Sequence, residues 1–295
     1  VAERVTLSAP AKVNLRLCIL AREQGGYHAL ETVFCALSLA DEVEVSRGGS
    51  GARLAVEGEI DTGPPERNLA LRAAHVFYRE IGRAPATDIR LAKRIPSAAG
   101  LGGGSSDAAA VLRALNTLEG EPLARIDLLR LAIELGADVP FFLCGSPLAL
   151  AWGRGERLMA LPPLPRRPVL IAHPGVAMPT AEAFREVAAL RGETYVPTPA
   201  QINADALADW DRIAARAVND FEPVVARRIP VLDDGLAVLR SAGARLALLA
   251  GSGSSIFGVF DDDASRDDAE PALASLGLRT WRAETLGEMP APRLA

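Results

Sequence analysis

The chain has 295 residues, 49% of them hydrophobic and 23% charged, with a formal net charge of −5. At roughly 100–200 residues per domain this length fits two domains, and it buries a sizeable core without disulfide staples. The acidic balance argues against a nucleic-acid partner, which would call for a basic patch, but leaves room for a local cluster that takes a phosphorylated ligand.

Cys18, Cys35 and Cys144 are odd in number and lack C-x-x-C spacing. They read as small buried side chains in a reducing compartment, not as zinc ligands or nucleophiles. Val1-Ala2-Glu3-Arg4 lacks the apolar core of a signal peptide, and no uncharged apolar run is long enough to span a bilayer. The expectation is a cytoplasmic protein with no membrane partner.

In chain order, Val5-Thr6-Leu7 and then Val13, Leu15, Leu17 and Ile19 alternate with other residues, which predicts a strand. Its alternate faces put Val13, Leu15 and Leu17 toward the core and Lys12, Asn14 and Arg16 together on the other side. Further strands are predicted at Glu42–Val45 and Leu54–Val56, a helix opening at Asn68, and a strand at Ile89–Lys93. A Gly-rich turn then leads into a helix with Ala108, Val111, Leu112 and Leu115 at i, i+3, i+4 and i+7. Leu128, Leu131, Ala132 and Leu135 repeat that spacing, and Gly136 follows as a helix terminator.

The proline-rich stretch from Leu161 to Pro168 cannot be regular structure and marks a domain boundary, giving units of 1–163 and 164–295. Beyond it come a strand at Val169–Ala172, helices from Thr180 and over Val231–Ser241, and strands at Arg245–Leu249 and Ile256–Phe260. A helix near Asp267–Leu276, a short strand near Arg279–Trp281 and a loose Pro-containing tail from Met289 complete the chain. Interleaved strands and helices of this kind indicate an α+β protein. Among the histidines, His75 and His173 read as structural.

The most informative stretch is Pro96-Ser97-Ala98-Ala99-Gly100-Leu101-Gly102-Gly103-Gly104-Ser105-Ser106-Asp107, between a strand and a helix. Its glycines permit positive φ and close backbone approach, and the free N–H groups of the following helix favour an anion. Ser105 and Ser106 add hydroxyl donors. The alternative is a flexible loop capped by one of the serines; the strand–loop–helix context favours a triphosphate cradle. No Lys-Ser or Lys-Thr follows the glycines, which excludes a Walker A loop, and the glycine spacing excludes the dinucleotide fingerprint.

This stretch resembles the central signature of the GHMP kinases. Ala9-Pro10-Ala11-Lys12-Val13-Asn14-Leu15 resembles the family's N-terminal motif, and Leu249-Ala250-Gly251-Ser252-Gly253-Ser254-Ser255 its C-terminal glycine motif. Gly26-Tyr27-His28-Ala29-Leu30-Glu31-Thr32 narrows the resemblance to the branch that phosphorylates the 2-hydroxyl of a cytidyl-diphospho-methylerythritol in the non-mevalonate isoprenoid route. Asn68-Leu69, Lys93–Pro96, Gly136–Phe142, Gly153–Glu156 and Asn219-Asp220-Phe221-Glu222 agree with it. Gly25 stands where the branch usually has Asp, and Ala250 where the last motif commonly has Ser.

The resemblance implies a two-domain fold, with an N-terminal ribosomal-protein-S5-domain-2-like half and a C-terminal ferredoxin-like half around an active-site cleft. It implies ATP with Mg²⁺, a small-molecule substrate carrying a cytidine diphosphate, and a monomer or weak homodimer.

Asp138 taken alone reads as the cap of a short turn; the resemblance makes it the group that accepts the hydroxyl proton or orients the hydroxyl. Lys12 taken alone reads as a solvated strand residue. In the family it is catalytic, its charge favouring the ionised carboxylate and stabilising the transferring phosphoryl group. Pro96, Ala99, Gly100, Leu101, Gly102, Gly103, Gly104, Ser105 and Ser106 would form the ATP cradle, with Lys93 and Asn68 on the adenosine side. Asn14, Tyr27, His28, Phe184, Thr180, Gly251 and Ser252 would bind substrate: Tyr27 and Phe184 sandwich the cytosine, His28 reads its edge, and Thr180 also caps its helix. The magnesium ligand is unknown at this level; Ser106 is one candidate. Rival readings are another kinase of the superfamily, acting on homoserine or mevalonate, a relative turned sensor, and a nucleic-acid binder.

Overall fold

The computed structural model describes residues 3–22, 28–58, 60–192, 202 and 204–295. The alternation around Val13, Leu15 and Leu17 extends over a long strand, β1 (Arg4–Arg22), antiparallel to β2 (His28–Arg47). β2 is far longer than the Glu42–Val45 stretch predicted for it. Its residues from Glu31 to Leu37 are all buried, so no in–out pattern marks that part as a strand.

β3 (Gly51–Glu57), α1 (Leu69–Glu80) and β4 (Ala86–Ala92) follow, with β3 and β4 parallel. Asn68 caps α1 by accepting from the Ala70 N–H at 2.9 Å. α2 (Gly103–Leu118) and α3 (Arg125–Leu135) join α1 over the sheet. Their apolar faces share one core with Val5, Leu7, Val43, Val45, Ile89 and Leu91. β5 (Leu148–Gly153) and β6 (Arg157–Ala160) form a hairpin, and β5 pairs with the first half of β2. The first sheet therefore runs β1-β2-β4-β3, with the β5–β6 hairpin branching from β2.

The proline-rich 161–168 segment carries the chain into a second, wholly antiparallel sheet. Its elements are β7 (Pro168–His173), α4 (Thr180–Arg191), α5 (Trp210–Ala214), α6 (Glu222–Arg228), α7 (Val231–Ser241), β8 (Leu246–Leu249), β9 (Ile256–Val259), α8 (Asp263–Ser275) and β10 (Arg279–Glu284). The order is β10-β7-β9-β8. α8 begins before the predicted Asp267, because Asp262 caps it by accepting from the Ser265 N–H at 2.8 Å. The tail is not loose: β11 (Arg293–Leu294) returns to the first sheet and pairs with Thr6 and Val5. No described helix is long and apolar enough to cross a membrane.

The mixed α and β class expected from the sequence is the one found. β1 is the element common to both halves. Val13 and Leu15 pack in one cluster with Val33, Ile171, Leu248 and Phe257, while Leu17 and Ile19 join a third cluster with Val225 and Leu236. Each such side chain, fully buried, contributes about 1.5–3 kcal/mol. This strand therefore has little freedom to shift, and the residues on its other face are held in place with it.

Candidate active site

Lys12 and Asn14 occupy that other face. Neither is solvated: they are 3% and 1% exposed. Lys12 Nζ donates to Asn14 Oδ1 at 2.9 Å, Asn14 Nδ2 donates to Thr32 Oγ1 at 2.7 Å, and Thr32 donates to the Arg16 carbonyl at 2.7 Å. The relay leaves the ammonium one orientation, 3.3 Å from Asp138 Oδ2 and 5.4 Å from the centre of the Phe34 ring. Asp138 stands between the end of α3 and a 3-10 turn over Val139–Leu143. Its side chain caps nothing in that turn. The carboxylate, 34% exposed, faces a cleft of about 470 Å³.

The glycine loop forms a wall of the same cleft. Pro96, Ala99, Gly100, Leu101, Gly102, Gly103, Gly104 and Ser105 all line it. Gly102 has φ +71°, and a Cβ there would stand 2.9 Å from Lys12 Cγ. The Leu101 carbonyl accepts from the Lys12 backbone N–H at 2.9 Å, so loop and strand are fastened directly.

Ser106 departs from its expected place. It is 1% exposed, it does not line the cleft, and its N–H already donates to the Gly102 carbonyl at 2.9 Å. One step into the helix, its hydroxyl is buried and has no hydrogen-bond partner. The N–H groups free of helical partners are those of Gly103, Gly104 and Ser105 at the start of α2.

The C-terminal glycine motif meets the loop from the other half. It is a tight turn between β8 and β9, and it also lines the cleft through Gly251 and Ser252. Ser255 N–H donates to the Ala99 carbonyl at 3.2 Å. A Cβ on Gly100, whose φ is +78°, would lie 1.9 Å from the Ala250 carbonyl oxygen. The two motifs need glycine because their backbones touch.

Thr180 and Phe184 approach from α4, and both line the cleft. Thr180 is not the N-cap it was expected to be. Pro179 holds that position, Thr180 is the first helical residue, and its hydroxyl lies 2.9 Å from Ser252 Oγ. Phe184 presents its ring to Phe221 at 4.9 Å and 85°. Tyr27 and the side chain of His28 lie outside the described residues, and with them the other wall of the expected aromatic sandwich.

Asn68 and Lys93 both line the cleft. Lys93 is no surface residue: it is buried between Asp41, which it contacts closely, and Asp107 Oδ2 at 2.8 Å. Burial works to lower its pKa, but the two carboxylates outweigh it and the net direction is up. Asp107 is pushed up to about 7, chiefly by burial and further by the Asp41 charge, against the pull of Lys93. Asp41 also accepts from the N–H groups of Arg94 and Ile95 at 2.5 and 2.9 Å, which fixes the chain leading into the glycine loop.

Sequence reasoning missed Thr32, Phe34, Asp41 and Phe221 as parts of this site. Asn14 faces Phe34 across the β1–β2 ladder, so the Thr32 and Phe34 contacts follow from a strand whose first half carried no pattern. Burial pushes Cys18 up to about 11 and Cys35 up to about 12, and neither lines the cleft. His173 is structural, as expected: it accepts from the Gly175 N–H at 3.0 Å and lies 3.2 Å from Ser254 Oγ.

The chain matches the family model for the GHMP kinases N terminal domain over residues 68–146 and that for the GHMP kinases C terminal over residues 200–277. A Geobacter sp. relative named 4-diphosphocytidyl-2-C-methyl-D-erythritol kinase is 40% identical over 263 residues, 88% of this chain and 91% of its own length. A crystal structure of 4-(cytidine 5'-diphospho)-2C-methyl-D-erythritol kinase is 38% identical with a TM-score of 0.78, covering 95% of this chain and 98% of that one. A homoserine kinase from Cytophaga hutchinsonii has a TM-score of 0.73 at 20% identity, covering 99% and 98%, and shares the fold.

Proposed function

The chain belongs to the GHMP kinases, and from that premise we propose that it uses ATP to phosphorylate the 2-hydroxyl of 4-diphosphocytidyl-2-C-methyl-D-erythritol, giving the 2-phosphate and ADP, in the non-mevalonate route to isoprenoid precursors. The observation that carries the reading is the Lys12–Asp138 pair, 3.3 Å apart on the cleft that the glycine loop lines.

The cradle suits a polyphosphate. Three backbone N–H groups stand free at the N-terminus of a 16-residue helix, and a Cβ on Gly104 would meet nothing nearer than Leu69 at 3.9 Å, so its surroundings are open. ATP supplies the phosphoryl group and takes the leaving charge as ADP. Magnesium would accompany it and would neutralise charge on the phosphates during transfer.

This chain's residues do the rest. Asp138 accepts the proton of the 2-hydroxyl as its oxygen bonds to phosphorus. Lys12, held by Asn14, stabilises the charge on the transferring group. Phe184 stacks on the cytosine, a base-bearing substrate being what an aromatic wall serves. Lys93 and Asn68 border the nucleotide. One chain supplies these groups, which fits a monomer or weak homodimer.

A coupled assay for ADP release tests the reading, with Mg-ATP and the cytidylated substrate, homoserine or mevalonate. Turnover with the cytidylated substrate alone, lost in Asp138→Asn, is expected. Turnover with homoserine or mevalonate instead would overturn the substrate and keep the kinase; nucleotide binding without any turnover would favour a sensor.

A further inference from the structure

Asn219, Asp220 and Glu222 have no part in the chemistry above, yet the segment they form with Phe221 touches three pieces of the site at once. Asn219 is 2% exposed and every polar atom of its amide is used. Its Nδ2 donates to the carbonyls of Leu249 and Gly251, each at 2.8 Å, and its Oδ1 accepts from the Phe221 N–H at 2.9 Å. Its backbone bridges Leu17 on β1: Leu17 N–H donates to the Val218 carbonyl at 2.8 Å, and Asp220 N–H to the Leu17 carbonyl at 3.0 Å. Glu222 adds a further tie, accepting from the Leu249 N–H at 2.9 Å.

The turn held this way packs directly against the reacting groups. A Cβ on Gly251 would stand 3.2 Å from Lys12 Nζ and 2.9 Å from the Gly100 carbonyl. The next residue after Asp220 is Phe221, whose ring sets Phe184 edge-on at 4.9 Å. We propose that Asn219 is a positioning residue for phosphoryl transfer, its amide fixing the 249–251 turn against Lys12 and the glycine loop while its backbone locks that turn to the strand that carries Lys12. Only an amide fits: two carbonyls demand a donor on one side of the group and an N–H demands an acceptor on the other. A carboxylate of the same shape would set oxygen against two carbonyl oxygens in a buried place.

The inference rests on the kinase reading, and the experiment separates the two. Asn219→Asp and Asn219→Ser are compared with Asp220→Asn, whose carboxylate serves Ile19 N–H and Arg191 rather than the turn. Initial rates are measured with Mg-ATP and the cytidylated substrate, and backbone hydrogen exchange is followed over 249–255. The expected result for Asn219→Asp is a kcat at least tenfold lower, an ATP KM within about threefold of wild type, and exchange over 249–255 at least tenfold faster. Asn219→Ser follows in the same direction, and serves alone if the aspartate does not fold. Asp220→Asn lowers thermal stability and keeps kcat within about threefold. Unchanged exchange over the turn, or faster exchange with kcat intact, would overturn the proposal. So would a kcat loss in Asp220→Asn equal to that in the Asn219 variants, since activity would then track stability alone. Absence of wild-type turnover would sink the substrate reading, while the exchange data would still decide whether Asn219 holds the turn.

Discussion

Lys12 Nζ and Asp138 Oδ2 lie 3.3 Å apart, yet the lysine side chain is 4% exposed and the aspartate 34%. The pair is asymmetric: a buried, immobilised cation and a carboxylate that can reach a substrate. Desolvation raises the value of the fixed charge at the moment phosphoryl transfer develops charge beside it. Asp138→Asn keeps the shape and removes the proton acceptor, so kcat is expected to fall about 10²–10⁴-fold with little change in thermal stability. Lys12→Met should lower kcat comparably, and Lys12→Arg should not restore it, because the longer planar head cannot keep both the Asn14 and Asp138 contacts. Initial-rate kinetics and thermal melts of the three variants check this.

The contact between the two glycine motifs makes a sharp contrast. Gly100→Ala places a methyl 1.9 Å from the Ala250 oxygen at φ +78°, whereas Gly104→Ala meets only Leu69 at 3.9 Å. The first is expected to cost about 1–3 kcal/mol of stability and to weaken nucleotide binding. The second should leave stability nearly unchanged. Urea titrations and nucleotide calorimetry on both proteins give the comparison.

Asp107 supplies a pH dependence. Burial lifts it from 3.8 to about 7, so between those values the folded protein holds a proton that the unfolded chain has released. This group's share of stability is greatest in acid and is lost as pH rises through about 7. Asp107→Asn keeps the neutral form at every pH. The difference in unfolding free energy between pH 5 and pH 8 should therefore shrink in the variant; an undiminished difference would contradict the assignment.

Phe184→Ala tests the base pocket. Loss of one aromatic wall should raise the KM for the cytidylated substrate about tenfold, roughly 1.4 kcal/mol, while the ATP KM stays put. Equal effects on both would place the ring elsewhere.

Much of this molecule was legible because its signals are local. The alternation at Val13, Leu15 and Leu17 placed Lys12 and Asn14 on one face, and the glycine-rich run before Ala108 marked a helix N-terminus able to take an anion. What was not legible depends on distant partners. Lys93 is buried because Asp41 and Asp107 stand 52 and 14 residues away along the chain. Thr180 points at Ser252 rather than at its own helix, and the first half of β2 hides its period because every residue from Glu31 to Leu37 is covered. Ser105 lines the cleft while Ser106, one helical step on and about 100° round, is buried, a difference that no composition rule resolves.

The most direct test of the account is phosphorus NMR of the cytidylated substrate incubated with Mg-ATP and catalytic amounts of the protein. A new phosphate monoester resonance, growing in step with ADP and absent with Asp138→Asn, is the predicted result. ADP appearing with free phosphate and no monoester, or a monoester formed equally well by Asp138→Asn, would contradict it.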